Sequence, residues 1–224
     1  MKIINQLNAA AGSRQTADEY QPAVVPHPVD VIEAIKARYR FQIFPNTAPG
    51  AALPQSSVYQ SGILNLPSGP IGILHLVMEA TGDVAQAVTT DQADAVLDDV
   101  AAFMEAEFGM TVAASEKHRS YVSNIVVEFD EAVESYIDQL GGIVRLMEQS
   151  RDRTGAPISL KRLAFGSPSA IKVDQVAAIE GAEFLIERRV DASVDANRYF
   201  CSAPLSSKRH SDLLNEIEEF LKKR

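Results

Sequence analysis

Residues 71–109 read IGILHLVMEATGDVAQAVTTDQADAVLDDVAAFMEAEFG, and the fold class is decided here. Ile71–Glu79 has the length and apolar character of a strand, and Ala80-Thr81-Gly82-Asp83 is a turn into a second strand, Val84–Val88. Thr89-Thr90-Asp91-Gln92 then has the form of a capping box, with Thr89 as N-cap and Gln92 three residues on. Ala93, Val96, Leu97, Val100, Phe103 and Met104 recur at helical spacing until Gly109 stops the run. Strands joined by short turns and followed by a capped amphipathic helix define an α+β domain, with the helix lying on one face of an antiparallel sheet.

Working outward, Ser57–Leu66 precedes the first strand through the turn Pro67-Ser68-Gly69-Pro70, which makes a three-stranded meander. Pro28 opens a short helix over 29–38 with Val31, Ile32 and Ile35 on one face. Tyr39–Phe44 alternates like a half-buried strand, and 45–55 is a loop. Downstream, Ser120–Phe129 predicts a strand, and Val133, Ile137, Leu140, Ile143, Val144 and Met147 form the stripe of a second long helix. Strands follow near 158–165, 183–190 and 197–202, and a last helix runs over about 207–222. Leu97–Met104 rhymes with Leu214–Leu221 at an offset of 117, and Thr89-Thr90 stands over Ser206-Ser207 at the same offset. The rhyme suggests a duplicated β-β-α unit, although capped amphipathic helices also converge on such a pattern. The expected architecture is a mainly antiparallel sheet covered by three long helices.

Residues 1–27 read differently. Ile3, Ile4 and Leu7 suit one face of a short helix, but Ala-Ala-Gly-Ser dissolves the pattern, and Pro22, Pro26 and Pro28 impose an extended backbone. The expectation is an extended N-terminal arm, 1–27, attached to a single α+β domain, 28–224. Ile3, Ile4, Leu7, Tyr20, Val24 and Val25 are spaced apolar anchors, suited to docking on a neighbouring subunit or in a partner's groove.

The 224 residues are 46% hydrophobic with a net charge of -9, which disfavours nucleic acid as the main partner. Only 151–210 reverses the balance, with 10 basic against 7 acidic residues. Arg198 beside Tyr199 and Phe200 is the platform a weak nucleotide or single-strand binder would need. The lone Cys201 excludes a disulfide within the chain and reads as a small buried hydrophobe. Polar interruptions near the start argue against a signal peptide, so a cytoplasmic protein without membrane contact is expected.

Catalytic motifs are sparse. His27, His75, His118 and His210 show no metal-pair spacing, so no metal is expected. Glycine-rich phosphate loops and the GxSxG elbow are missing, and no cofactor is expected. His75 alternates with core-facing residues, which suits either a base on the sheet surface or a solvent-side histidine. Ser115–Ser120 gathers an acid, a base and two hydroxyls around His118 and Arg119 in what also reads as a loop. Ser206-Ser207-Lys208-Arg209-His210 suits an anion at a helix start, or simple N-capping. The pairs Asp98-Asp99 and Glu218-Glu219 are expected on exposed helix faces. The reading is therefore a non-enzymatic interaction or assembly component, working as a homo-oligomer or with a protein partner. Its alternative is an enzyme with a scattered site drawn from His75, His118, Arg119 and His210.

Overall fold

A computed structural model of the chain describes residues 1–14, 26–46, 56–79, 82–110, 119–133, 142–143, 146–147, 161–166 and 183–223. The elements are β1 (Lys2–Arg14), α1 (Pro28–Tyr39), β2 (Ser56–Leu66), β3 (Gly69–Glu79), β4 (Gly82–Ala87) and α2 (Thr90–Phe108). They continue with β5 (Arg119–Glu128), β6 (Arg162–Phe165), β7 (Phe184–Arg188), β8 (Arg198–Ala203) and α3 (Ser207–Lys222). All eight strands form one antiparallel sheet in the order β2-β3-β4-β1-β5-β8-β7-β6. From either edge, three chain-consecutive strands lead inward to a central one, and each meander is followed in the chain by a helix on the sheet. The fold is α+β. The predicted helix beginning at Val133 lies mostly outside the described residues.

The first correction concerns the N-terminus. Residues 2–14 are no arm: β1 is a central strand, paired with β4 through Ala9–Arg14 and with β5 through Lys2–Ser13. Ile3, Ile4 and Leu7 therefore sit on a strand, not on a helix face, and Ile3 and Leu7 are partly exposed there. Tyr20, Val24 and Val25 lie outside the described residues. The run Asn8-Ala9-Ala10-Ala11-Gly12 lacks the branched and aromatic side chains that mark strands, but it suits its place. Ala9, Ala11, Ala85 and Ala87 are all buried, and their small side chains let α2 lie close over β1 and β4.

The second correction concerns Tyr39–Phe44. Tyr39 completes the buried stripe Ile32, Ile35, Tyr39 of α1, so the helix claims it. Arg40 then turns the chain with a left-handed φ of 55°, and Gln42 and Ile43 reach the sheet through backbone bonds to Gln60 and Ser61, with one isolated bridge at Ile43–Gln60. The turn swings Phe41 onto the backbone of Gly62, where a Cβ would collide with the ring. Phe41 packs against Tyr59 at 5.2 Å between centroids. Arg38 holds Asp99 of α2 with two bonds of 2.8 and 3.0 Å, and the Tyr39 hydroxyl donates to Asp99 at 2.7 Å. Burial alone would raise the Asp99 pKa, but these bonds outweigh it and hold the carboxyl below its usual value.

Two apolar clusters result. One joins α1 and α2 to β1–β4. The other joins Leu214 of α3 to Ile125, Val127, Ile186, Tyr199 and Cys201. Glu218 corrects a further expectation. It is 2% exposed rather than on an open face, and it accepts the Asp130 amide and binds the Met1 amine and Lys222.

The helices α2 and α3 meet at their starts. Thr89 and Ser206 cap them, accepting from the Gln92 and Arg209 amides. The next residues bond reciprocally: the Thr90 amide donates to Ser207 Oγ at 3.1 Å, and the Ser207 amide donates to Thr90 Oγ1 at 3.0 Å. Two amides that a helix start normally leaves without partners are thus satisfied inside the protein. Replacing Thr90 or Ser207 by Ala should cost about 1–2 kcal/mol each. The double variant should lose less than the sum, because breaking one bond lets the helix ends part and weakens the other. Denaturant melts of the four proteins measure this.

Candidate functional site

Polar side chains gather in two places on the helix-covered face. In the register of β4, β1 and β5, Asp83, Ser13 and Arg119 form one row beneath α2. Arg119 pairs with Asp98 at 2.8 Å and with Asp94 at 3.5 Å, while the Tyr121 hydroxyl donates to Asp94 at 3.0 Å. Asp83 is 7% exposed. Burial pushes its carboxyl up to about 7, and the Arg119 charge and a backbone bond at Glu79 reverse only part of that. Arg119 is therefore engaged in an ion-pair network on α2. Its neighbour His118 lies outside the described residues.

The second place is the interior between β5 and α3. Ser123 faces α3, and its Oγ lies 2.8 Å from His210 Nδ1, with both residues at most 2% exposed. Burial holds the imidazole neutral, with its pKa at about 4. The arrangement departs from the other half of the sheet. Ser123 is paired in register with Ala9, and His210 is the fourth residue of α3 as Ala93 is of α2. Both alanines are buried.

His210 also lines a cavity of about 120 Å3 between α3 and the strands β6, β7 and β8. Phe165, Phe184, Leu185, Ile186, Leu213, Leu214 and Ile217 supply its apolar wall, and Ser202 the other hydroxyl. Of the lining residues, Phe165 is 58% exposed and Phe184 is 37% exposed; Phe220, one turn beyond Ile217, is 65% exposed. Chemically the cavity offers an apolar container with a neutral imidazole in its wall. It presents no carboxylate or cation among the described lining residues.

The remaining candidates are dispersed. His75 lies on β3 in register with Gln60 and Gln86, next to core-facing Leu76 and so on the opposite face from it. Tyr199 is 1% exposed and bonded to Arg188 and the Val133 amide, so it cannot stack on a base as a binding platform would require. Arg162, Arg189 and Arg198 pair with Glu183, Asp191 and Glu128, which neutralises part of the basic 151–210 region. Among the described residues no group of three or more His, Cys, Asp or Glu is placed to hold a metal. No described helix is long and apolar enough to cross a membrane.

The Cys201 thiol is buried, and desolvation pushes its pKa up to about 12. It should resist a disulfide reagent such as DTNB in the folded protein and react fully in denaturant. Native-state modification at the rate of a free thiol would show that β8 opens.

Sequence reasoning singled out His210 but not Ser123 or the cavity. The available signal was a histidine on an apolar helix stripe, at the position where the first helix carries alanine. Compared with known protein families and with curated proteins, the chain matches none.

Proposed function

We propose that this chain is a non-enzymatic protein-interaction module, and that its receptor surface is the groove between α3 and strands β6 and β7. One observation carries the reading. On α2, Val96 and Val100 are fully buried in the cluster that contains Ile32, Ile35 and Tyr39 of α1, and Phe103 meets Tyr39 edge-on at 6.4 Å. The residues 117 further on, Leu213, Ile217 and Phe220, are half-buried or exposed beside an open apolar cavity. The mirrored strand order supports a duplicated β-β-β-α unit as the origin of this correspondence. In one half, then, an amphipathic helix with apolar residues at i, i+3 and i+7 covers the groove; in the other, no helix among the described residues covers the same kind of surface. Apolar clusters of this kind, with aromatic side chains lining a pocket, are where binding energy concentrates in interfaces.

A photo-reactive benzophenone residue placed at Phe220, with the same residue at exposed Glu107 of α2 as control, tests the reading in the expressing cell. A discrete protein adduct at 220, absent at 107 and lost when Leu213→Arg is added, is expected. No adduct at 220, or the same adducts at both positions, would overturn it.

A further inference from the structure

We propose that Arg119 is a two-position side chain: Asp98 and Asp94 of α2 hold it while Asp83 is neutral, and it turns to Asp83 when that carboxyl ionises. The grip of β5 on α2 is thereby set by pH. Placement makes the exchange possible. Asp83 and Arg119 are both in register with Ser13, one on either side of it, so they share the face of the sheet that lies under α2. Two strand spacings put their Cα atoms about 10 Å apart. In that row the short side chain of Ser13 stands between them, and an extended arginine spans the gap. The guanidinium is also incompletely used. Its Nη2 binds Asp98 at 2.8 Å and its Nε lies 3.5 Å from Asp94, while Nη1 is buried without a hydrogen-bond partner among the described residues. A buried donor in that state costs free energy that an ionised acceptor recovers.

The two sets of partners differ in strength. Asp98 is 55% exposed, so water screens its pair with Arg119. Asp83 is buried, and a guanidinium stabilises a desolvated charge far more. The choice is left to the proton on Asp83. On β3, the Glu79 amide donates to it and the Glu79 carboxylate repels it. On β2, it meets Tyr59, whose phenol burial holds neutral. Arg119 is the cation among the described groups that acts on it. With its proton, Asp83 offers Arg119 no charge, and the α2 carboxylates win. Without it, Asp83 is a buried anion and Arg119 is its counter-charge. Burial lifts the carboxyl to about 7, so the two positions exchange near neutral pH. When Arg119 turns, Asp91, Asp94 and Asp98 lose its charge. They stand at i, i+3 and i+7 of α2 and repel one another, so the helix loosens there.

The test follows three NMR signals of the full chain between pH 5 and pH 9: the Arg119 Nε–Hε group and the carboxyl carbons of Asp83 and Asp98. All three should move in one step with a midpoint near neutral, Asp98 included because it loses its donor. Asp83→Asn should leave the Arg119 and Asp98 signals flat across that step. Hydrogen exchange, corrected for its intrinsic pH dependence, reads the helix. The α2 amides from Asp94 to Asp98 should open about fivefold more readily above the midpoint, the worth of one partly exposed ion pair. Asp83→Asn should remove that gain. An Asp98 carboxyl that ignores the Asp83 step would overturn the proposal, as would α2 exchange that is the same in the parent and in Asp83→Asn. An Asp83 carboxyl still ionised at pH 5 would overturn it as well.

Discussion

A chain shortened to begin at Pro28 should fail to fold. The missing residues include β1, which is hydrogen-bonded along both sides and joins the two three-stranded meanders into one sheet. Its removal leaves β4 and β5 as facing edges and uncovers the buried row of Ala85, Ala87, Ile125 and Val127. Neither meander retains enough buried area to offset its own ordering entropy, and domain stabilities are only about 5–15 kcal/mol to begin with. The shortened chain should be insoluble, or soluble without near-ultraviolet circular dichroism and without a cooperative melt. A sharp transition within a few degrees of the full chain's would show that β1 is dispensable to the sheet.

Asp83→Asn should stabilise the protein above neutral pH and make no difference near pH 4. Burial raises the folded carboxyl to about 7 against an ordinary value near 3.8. Between those values the folded protein keeps a proton that the unfolded chain has released, so stability contributed by this group falls as pH rises and levels off above about 7. A shift of about three units corresponds to about 4 kcal/mol at most. The charge of Arg119, which faces the same row, is already counted in that pKa, and Asp94 stays in place in both proteins. Melts of both proteins at pH 4, 6 and 8 should show a gap opening with pH. A constant gap, or a variant that is less stable at pH 8, would mean that Asp83 works as an ion in the fold.

Much of the architecture was legible because periodicity and capping agreed. The helix after Thr89, the hairpin around Pro67–Pro70 and the last helix fall where apolar spacing and turn residues place them. The failures have a common physical cause: the residues were chosen by distant contacts. β1 is alanine- and glycine-rich because α2 lies close to it, so its local signal is that of a loop. Tyr39 reads as part of a strand until the buried stripe of α1 is known to extend to it. Glu218 reads as solvent-facing because its partners, the Met1 amine and the Asp130 amide, come from elsewhere in the chain. The candidate site was half legible. His210 stands out in the sequence as part of the polar cluster Ser206–His210 at the start of the last helix. Ser123 is an ordinary serine in a strand until β5 and α3 are brought together.

The placement of β1 also bears on how the protein is made. This strand leaves the ribosome well before either neighbour, β4 following about 70 residues later and β5 more than 100, which at about 5–20 residues per second is several seconds. The β2–β4 and β6–β8 meanders can zip locally within microseconds of emerging. The closing pairings of β1 are long-range and wait for synthesis. During that interval β1 is a free edge on both sides, and its Lys2, Asn5, Gln6 and Asn8 limit how readily it joins a foreign sheet. Soluble yield should therefore track translation speed and chaperone supply more closely than it tracks the melting temperature of the finished protein.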